Sequence, residues 1–497
     1  MLRKTLLALA LGAAFPAVFA QSTPVPQEKI GAPDRIPLAD TNLATGASRV
    51  TIYGLLDGGI EYVNAGDVSL TRLQSGMSAG SRLGIRGSED MGNGYRAIFT
   101  LEMRVEVDTG TTSNRAPIFY CGTQPYTLAA GAAPTAGPSC PGVTVLPPVS
   151  ALAPPSSATY QSVLLGINSV NQNLLQAVTT VNSADALFDR QAFVGLVTPY
   201  GALLLGRQYT PGYEILNRFN SFADATAGQL AQGYSVINIR ANNSIQYRAE
   251  AAGFVVSAMY GFGGSEGRTP LPTRQERTTA PTGGDDFWGA NVQYYTPLFG
   301  VGVGYQQNYV VPYQQTSRTT GLQTLNVGGT LTLGPVRLFA QYMDRKNDNP
   351  ILSPQDIQNI VVATGGNLTA ITNILAGLQI NPWDVDGSRG FVGPTDGQIY
   401  HLGAAWQIGP GTLNAAANFA KDTASSPWIT DDAKVNHFAI AYFYNFSLRT
   451  QLYGAYAFMN NSGQARVTPG AAGYAGGWAT SDGANTSALQ VGLRHSF

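Results

Sequence analysis

The residues of this sequence with the most chemical potential are charged, and between Tyr95 and Asp108 they alternate with oil. Arg96, Thr100, Glu102, Arg104, Glu106 and Asp108 fall on even positions, and Tyr95, Ala97, Phe99, Leu101, Met103, Val105 and Val107 on odd ones. Successive side chains of a strand point to opposite faces, so guanidinium and carboxylate groups share one wet face. Such a row does no covalent chemistry, but it braces a wall through ion pairs or sets up a field that acts on mobile ions. Alternation also makes Arg86 and Arg207 candidates for a wet face. Covalent catalysis has little to work with. The three histidines, His401, His437 and His495, each lie in a strand-like stretch, and although Ser487 and Ser496 are near the last, no third group orients a base. No phosphate-cradling Gly-Lys-Ser/Thr run occurs. The run Asp384-Val385-Asp386-Gly387-Ser388 resembles half a calcium loop without its downstream glutamate. The expectation is therefore no enzyme, no cofactor and no metal.

The elements that must position these charges are strands, because the alternation recurs. Arg49 opens a first strand with Val50, Ile52, Leu56, Ile60 and Tyr62 on one side and Thr51, Tyr53, Asp57 and Glu61 on the other. A loop near 65–80 leads to a hairpin over 81–108. Further strands are predicted near 189–199, 202–210, 241–250, 254–264, 285–298, 301–312, 320–333, 336–346, 397–408, 412–423, 433–446, 449–460 and 485–497. Short glycine-containing turns join them in pairs, and long loops separate the pairs. About sixteen strands with that asymmetry predict an all-β fold, an antiparallel transmembrane β-barrel with both termini on the short-turn side. Tyr294, Tyr295, Tyr442, Phe443 and Tyr444 gather at strand ends, as interfacial aromatic girdles do.

Composition agrees with a barrel in a membrane. The chain is 44% hydrophobic and only 12% charged, against about a quarter charged in soluble domains, yet beyond the first twenty residues no run is long and apolar enough for a spanning helix. Residues 1–20 read as a secretory signal peptide, with Arg3 and Lys4 before an apolar run and Val18-Phe19-Ala20 at the cleavage site. Residues 21–48 are proline-rich and aperiodic, a flexible extension before a barrel over 49–497. Without Arg3 and Lys4 the chain has 27 basic and 30 acidic residues, which suggests no nucleic-acid partner.

Several segments together resemble the Gram-negative general porins, in particular their trimeric beta-proteobacterial type. They are Arg49-Val50-Thr51-Ile52-Tyr53-Gly54 with Asp57-Gly58-Gly59, Ser81 to Asp90 (SRLGIRGSED), Arg190 to Leu196 (RQAFVGL), Leu205-Gly206-Arg207-Gln208, Asn242 to Tyr247 (NNSIQY) and Gly492 to Phe497 (GLRHSF). The resemblance implies a sixteen-stranded, water-filled homotrimeric diffusion channel of the cell outer membrane, passing ions and small hydrophilic solutes. It implies that the loop at about 209–238, with Glu214, Arg218 and Asp224, folds into the lumen and faces wall arginines Arg82, Arg190 and Arg240. Fixed guanidinium groups there would favour anions; alternatively, several pair with Glu89, Glu102 or Glu106 and only brace the wall. Leu489, Val491, Leu493, His495 and Phe497 share one face of a last strand ending in Phe, the signal read by the barrel assembly machinery. Lipid and lipopolysaccharide are the other expected partners.

Two insertions exceed the usual loops, at about 109–188 and 349–396. The first holds Cys121 and Cys140, which in an oxidising compartment would close a disulfide worth roughly 3 kcal/mol. Each carries an apolar stripe at near-helical spacing, through Val163, Leu164, Ile167, Leu174 and Leu175 in one and Ile357, Ile360, Val361, Leu368 and Ile371 in the other. A substrate-specific channel, or a surface adhesin or receptor anchored by a barrel, are the alternatives to a general porin.

Overall fold

The computed structural model describes residues 48–112, 114–115, 180–181, 186–223, 225–262 without 231, 233, 236 and 238, 286–310, 319–347, 395–423, and 433–497 without 464, 474, 475, 478 and 482. The leader, the extension as far as residue 47, Asp224, Cys121, Cys140, the apolar stripes of both insertions and the 384–388 run lie outside the described residues.

Strands dominate. Apart from a two-residue pair, Asn114–Arg115 with Thr180–Val181, they form one sheet, in chain order β1 (Arg49–Asn64), β2 (Ser69–Ser75), β3 (Arg82–Gly92), β4 (Tyr95–Arg104), β5 (Gln191–Thr198), β6 (Gly201–Tyr209), β7 (Arg240–Ala251), β8 (Phe254–Gly261) and β9 (Phe287–Tyr295). They continue as β10 (Phe299–Val310), β11 (Thr319–Leu333), β12 (Val336–Asn347), β13 (Thr395–Ile408), β14 (Gly411–Asp422), β15 (Ala433–Asn445), β16 (Thr450–Ser462) and β17 (Thr486–Ser496). Every sheet neighbour is antiparallel. β2 and β3 both pair with β1, on its two halves, so the seventeen segments fill sixteen positions around a closed barrel. The predicted loop near 65–80 is thus mostly β2 plus a short departure from the sheet.

Alternation fixes which way each strand faces. Val50, Ile52 and Ile60 are 67%, 68% and 57% exposed, whereas Asp57 and Glu61 are fully buried, so the oil lies outside and the charge inside. A soluble sandwich would reverse this, and an apolar skin of this extent is covered only by lipid or another subunit. The short turns, among them Gly92–Gly94, Ala252–Gly253 and Gly334–Pro335, sit at the end that also holds Arg49 and Phe497. Of the five aromatics predicted to form girdles, Tyr294, Tyr442 and Tyr444 face outward. Tyr295 and Phe443 face inward, Tyr295 stacking on Phe219 at 6.0 Å and Phe443 packing on Tyr453 at 6.1 Å.

Closure runs through β1 and β17, in register from Leu55 opposite Ser496 to Asn64 opposite Ser487. Phe497 extends the seam by exchanging backbone hydrogen bonds with Gly54 at 3.0 and 3.1 Å. Its ring lies where a Gly54 Cβ would be, 2.3 Å from that position. Removing Phe497 deletes two hydrogen bonds and the ring that covers Gly54. The yield of folded barrel is expected to fall several-fold, measured as the heat-modifiable fraction on semi-native gels after refolding.

Candidate functional site: the lumen and its constriction

Among the described residues, three segments enter the lumen. The largest, 210–239, follows β6 and begins with a helix, α1 (Pro211–Arg218). Thr210 caps it by accepting the Tyr213 N–H at 3.4 Å, Pro211 supplies a first position that needs no donor, and Glu214 and Arg218 stand at the ends that suit the helix dipole. The helix lies against the inner wall at β10 and β11 because that wall is glycine. A Cβ added at Gly328 would sit 2.4 Å from the Phe219 Cβ, one at Gly302 2.5 Å from its ring, and one at Gly304 2.7 Å from Ile215.

Beyond the helix the loop is pinned by two of the three histidines. The Ser221 N–H donates to His401 Nε2 at 3.2 Å, and the Tyr234 hydroxyl meets His437 Nδ1 at 2.8 Å. Asn418 bridges the two rings, at 2.6 Å to His401 Nδ1 and 3.0 Å to His437 Nδ1. Accepting the Ser221 N–H requires Nε2 of His401 to carry no proton. These imidazoles therefore brace a loop, and the Ser221 hydroxyl near His401 is itself engaged, donating to the Ala415 carbonyl at 2.9 Å.

The second and third inward segments, 76–81 and 465–473, were not foreseen from the sequence. They lock onto the large loop: the Thr226 N–H donates to the Met77 carbonyl at 2.7 Å, and the Gly470 N–H to Gln232 Oε1 at 2.7 Å. The lumen is accordingly not all water. Met77, Phe222, Phe443, Tyr453 and Ala471 form one apolar cluster between loop and wall, and Tyr213, Leu216, Leu230, Met343 and Val467 belong to another. A loop held inside a barrel needs such a footing, since hydrogen bonds alone exchange with water at little net gain.

On the wall from β3 to β7 the charges collect. Glu102, 4% exposed, accepts Arg190 Nε at 2.7 Å and the Tyr53 hydroxyl at 3.0 Å, with Arg82 Nη1 at 3.9 Å. Arg190 also donates to the Tyr209 hydroxyl at 3.2 Å, and Arg240 donates to the same oxygen at 2.9 Å while lying 4.5 Å over the Tyr209 ring. Arg82, Arg190 and Arg240, expected from the resemblance, thus converge on one carboxylate and one phenol. Three positive charges against one negative leave this cluster at +2. Arg86 faces the lumen as alternation predicts, 5.0 Å over the Tyr53 ring.

Other expectations need correction. Arg207 is not in the lumen: it stands in register with Ala192, which pairs with Leu101 and through it with Ile85, the outward series. Leu203 and Leu205 already face out, so Arg207, two residues on, shares their face. Its guanidinium donates to the Asp189 carbonyl at 2.6 Å and to Asn242. The bulge between Gly206 and Gln208 then turns Tyr209 inward. Glu214 does not oppose the arginine cluster either, because it accepts from Arg248 at 2.5 Å and Asn291 at 2.9 Å and fastens α1 to the wall behind it. Bracing is also the role of Arg104, buried between Asp189 at 3.1 Å, Glu106 at 3.3 Å and the Gly473 carbonyl at 2.8 Å. Burial pushes the Glu106 carboxyl above its ordinary range while Arg104 pulls the other way. Alternation had placed Arg104 and Glu102 on the wet face, and pairing with Glu102 or Glu106 to brace the wall was the alternative to a field of free arginines; Arg190 and Arg104 make those pairs. Leu493 and His495 lie outward on β17, with Phe497 at its end.

A model of the Gram-negative porin family matches residues 5–464. The chain belongs to the Gram-negative porins. This porin is 25% identical over 482 residues to outer membrane porin protein 32 of Delftia acidovorans, covering 93% of the chain and 97% of that protein. It is 24% identical over 476 residues to an outer membrane porin protein of Bordetella pertussis, covering 91% of the chain and 96% of that protein. Among solved structures it resembles the anion-selective porin from Comamonas acidovorans, with a TM-score of 0.58 and 20% identity, covering 90% of this chain and 100% of that one. The trimer form of OmpT from Vibrio cholerae gives 0.51 at 14% identity, with 91% and 100% covered. The porin is therefore a channel-forming barrel of the outer membrane, and its curated relatives are channels rather than enzymes.

Proposed function

We propose that this porin passes small hydrophilic solutes by passive diffusion with a preference for anions, and that Arg82, Arg190 and Arg240, with Arg86 nearby, supply that preference. The observation that carries the reading is the cluster of three guanidinium groups around the single carboxylate of Glu102. Arginine keeps its charge at any accessible pH, and a fixed positive wall in a narrow aqueous passage concentrates anions. Similarity in fold to an anion-selective porin agrees with it.

The assembly is a homotrimer in this reading. Toward the long-loop end, β8 to β15 carry outward aromatics, including Trp288 beside Tyr305, Tyr342 beside Tyr400 and Phe419 beside Phe438. On β17, β1, β2 and β6 the corresponding outward positions are mostly aliphatic, with Leu489, Ile60, Leu73 and Leu205 exposed. Aromatic rims suit the lipid interface and aliphatic faces suit a second copy. Lipopolysaccharide would meet the aromatic side, and the barrel assembly machinery would read Leu493, His495 and Phe497. Planar-bilayer recording of purified protein tests the whole reading. Three-step closures and a reversal potential of anionic sign in a salt gradient are expected, and a cationic sign would overturn the preference. Absence of any conductance would favour a barrel that merely anchors its loops.

A further inference from the structure

We infer that Asp57 is a positioning residue that sets the width of the channel, by holding the turn to which both other inward segments are tied. β1 pairs with β3 as far as Leu55 opposite Arg82 and with β2 from Gly58 opposite Ser75, so residues 76–81 are left out of the sheet and enter the lumen. The fully buried carboxylate of Asp57 catches them. It accepts the Ser78 and Ala79 N–H groups at 3.3 Å each, one on each oxygen, and the Tyr453 hydroxyl of β16 at 2.8 Å. Its backbone holds the base of the turn, donating to Ser81 Oγ at 3.0 Å and accepting the Gly76 N–H at 2.9 Å.

From this footing the turn presents two carbonyls to its neighbours. Gly76 accepts the Gly473 N–H at 2.7 Å, and Met77 accepts the Thr226 N–H at 2.7 Å. The crossing of 76 over 473 is close enough to favour glycine on both sides. Gly76 has a φ of +71°, and a Cβ on either residue would lie 3.1 Å from the other's Cα. One carboxylate on the wall thus fixes the turn, and the turn fixes the tip of the large loop and the segment before β17. Charged acceptors of backbone N–H groups are the strong ones, and removing a buried one leaves its donors to find water. The turn, no longer held at its centre, is then free to move toward water.

The inference rests on the channel reading, so its test separates size from charge. Liposome swelling with neutral sugars of graded size is blind to the arginines, and single-channel conductance is recorded beside it. Asp57→Ala is expected to admit larger sugars than wild type and to raise conductance about twofold, while the reversal potential keeps its sign. Asp57→Asn, which retains one acceptor oxygen, should fall between the two. Gly473→Leu loosens the same junction with the Asp57 side chain intact and should also raise the exclusion limit; should either variant fail to fold on semi-native gels, the other decides. Folded variants with an unchanged exclusion limit would overturn the inference and leave the porin standing. A wild-type protein that passes no sugar would overturn the channel reading instead.

Discussion

Replacing Arg82 and Arg190 together by glutamine is expected to move the reversal potential in a salt gradient toward the cation side, and Glu102→Gln alone to move it the other way. The cluster holds three guanidinium groups and one carboxylate, so the first change takes it from +2 to zero and the second takes it to +3. A unit charge about 8 Å from a passing ion is worth roughly 0.5 kcal/mol in water without screening and about 0.2 kcal/mol where 8 Å is one Debye length, with opposite signs for anion and cation. Removing two such charges should lower the anion-to-cation permeability ratio on the order of tenfold at low salt, and less at high salt where screening is stronger. Arg190 is also a buried partner of Glu102, at 2.7 Å. Stripping it leaves a carboxylate with the Tyr53 hydroxyl at 3.0 Å as its remaining close donor, a situation that costs several kcal/mol in buried pairs. The triple variant that adds Glu102→Gln removes that cost and returns the cluster to +1. Its reversal potential should lie between wild type and the double variant; if the cluster only braces the wall, all three variants keep the wild-type value and differ in stability alone.

What could be read from the sequence was whatever repeats with a period of two. The strands followed because a membrane barrel must keep oil outside and polar groups inside along every strand, and Arg86 and the wet row from Thr100 to Glu106 followed with them. Arg207 was misplaced for want of the same count, since Leu203 and Leu205 already marked its face as outward. Arg82, Arg190 and Arg240 came from family likeness, and alternation gave no hint that Arg190 and Arg240 would meet at Tyr209 while Arg82 and Arg190 share Glu102. The inward segments were illegible for a physical reason. Residues 76–81 and 465–473 are held chiefly through backbone groups and small side chains, with Gly76, Gly473 and Gly470 at the contacts, and backbone bonds leave no periodic trace. Glu214 lay in a loop, where no period says which way a side chain points, and its partners Arg248 and Asn291 come from two different strands.

Gly328→Leu is expected to cut single-channel conductance by about an order of magnitude, a larger effect on flux than any arginine change. Gly328 faces inward on β11 beneath the residue that follows α1, where a Cβ would lie 2.4 Å from the Phe219 Cβ. Real carbon contacts do not come that close, and the clash is with the root of a side chain, which no rotamer change relieves. Gly302 on the neighbouring strand closes the other escape, because its own Cβ position is 2.5 Å from the Phe219 ring. Since the sheet is continuous on both sides of β11, the wall stands and the helix yields. It must yield toward the lumen, carrying Arg218 and Phe219 into the passage and pulling Phe219 off its stack on Tyr295 of the wall strand β9. The barrel should still fold, because its skin and seam are untouched, so heat-modifiability stays while conductance falls and the neutral-sugar exclusion limit drops. Gly329→Leu is the control on the same strand. It lies on the alternate face with backbone no nearer than 3.4 Å, and it should leave conductance unchanged. If Gly328→Leu also conducts as wild type does, the helix does not border the passage and the constriction must be sought at 465–473 instead.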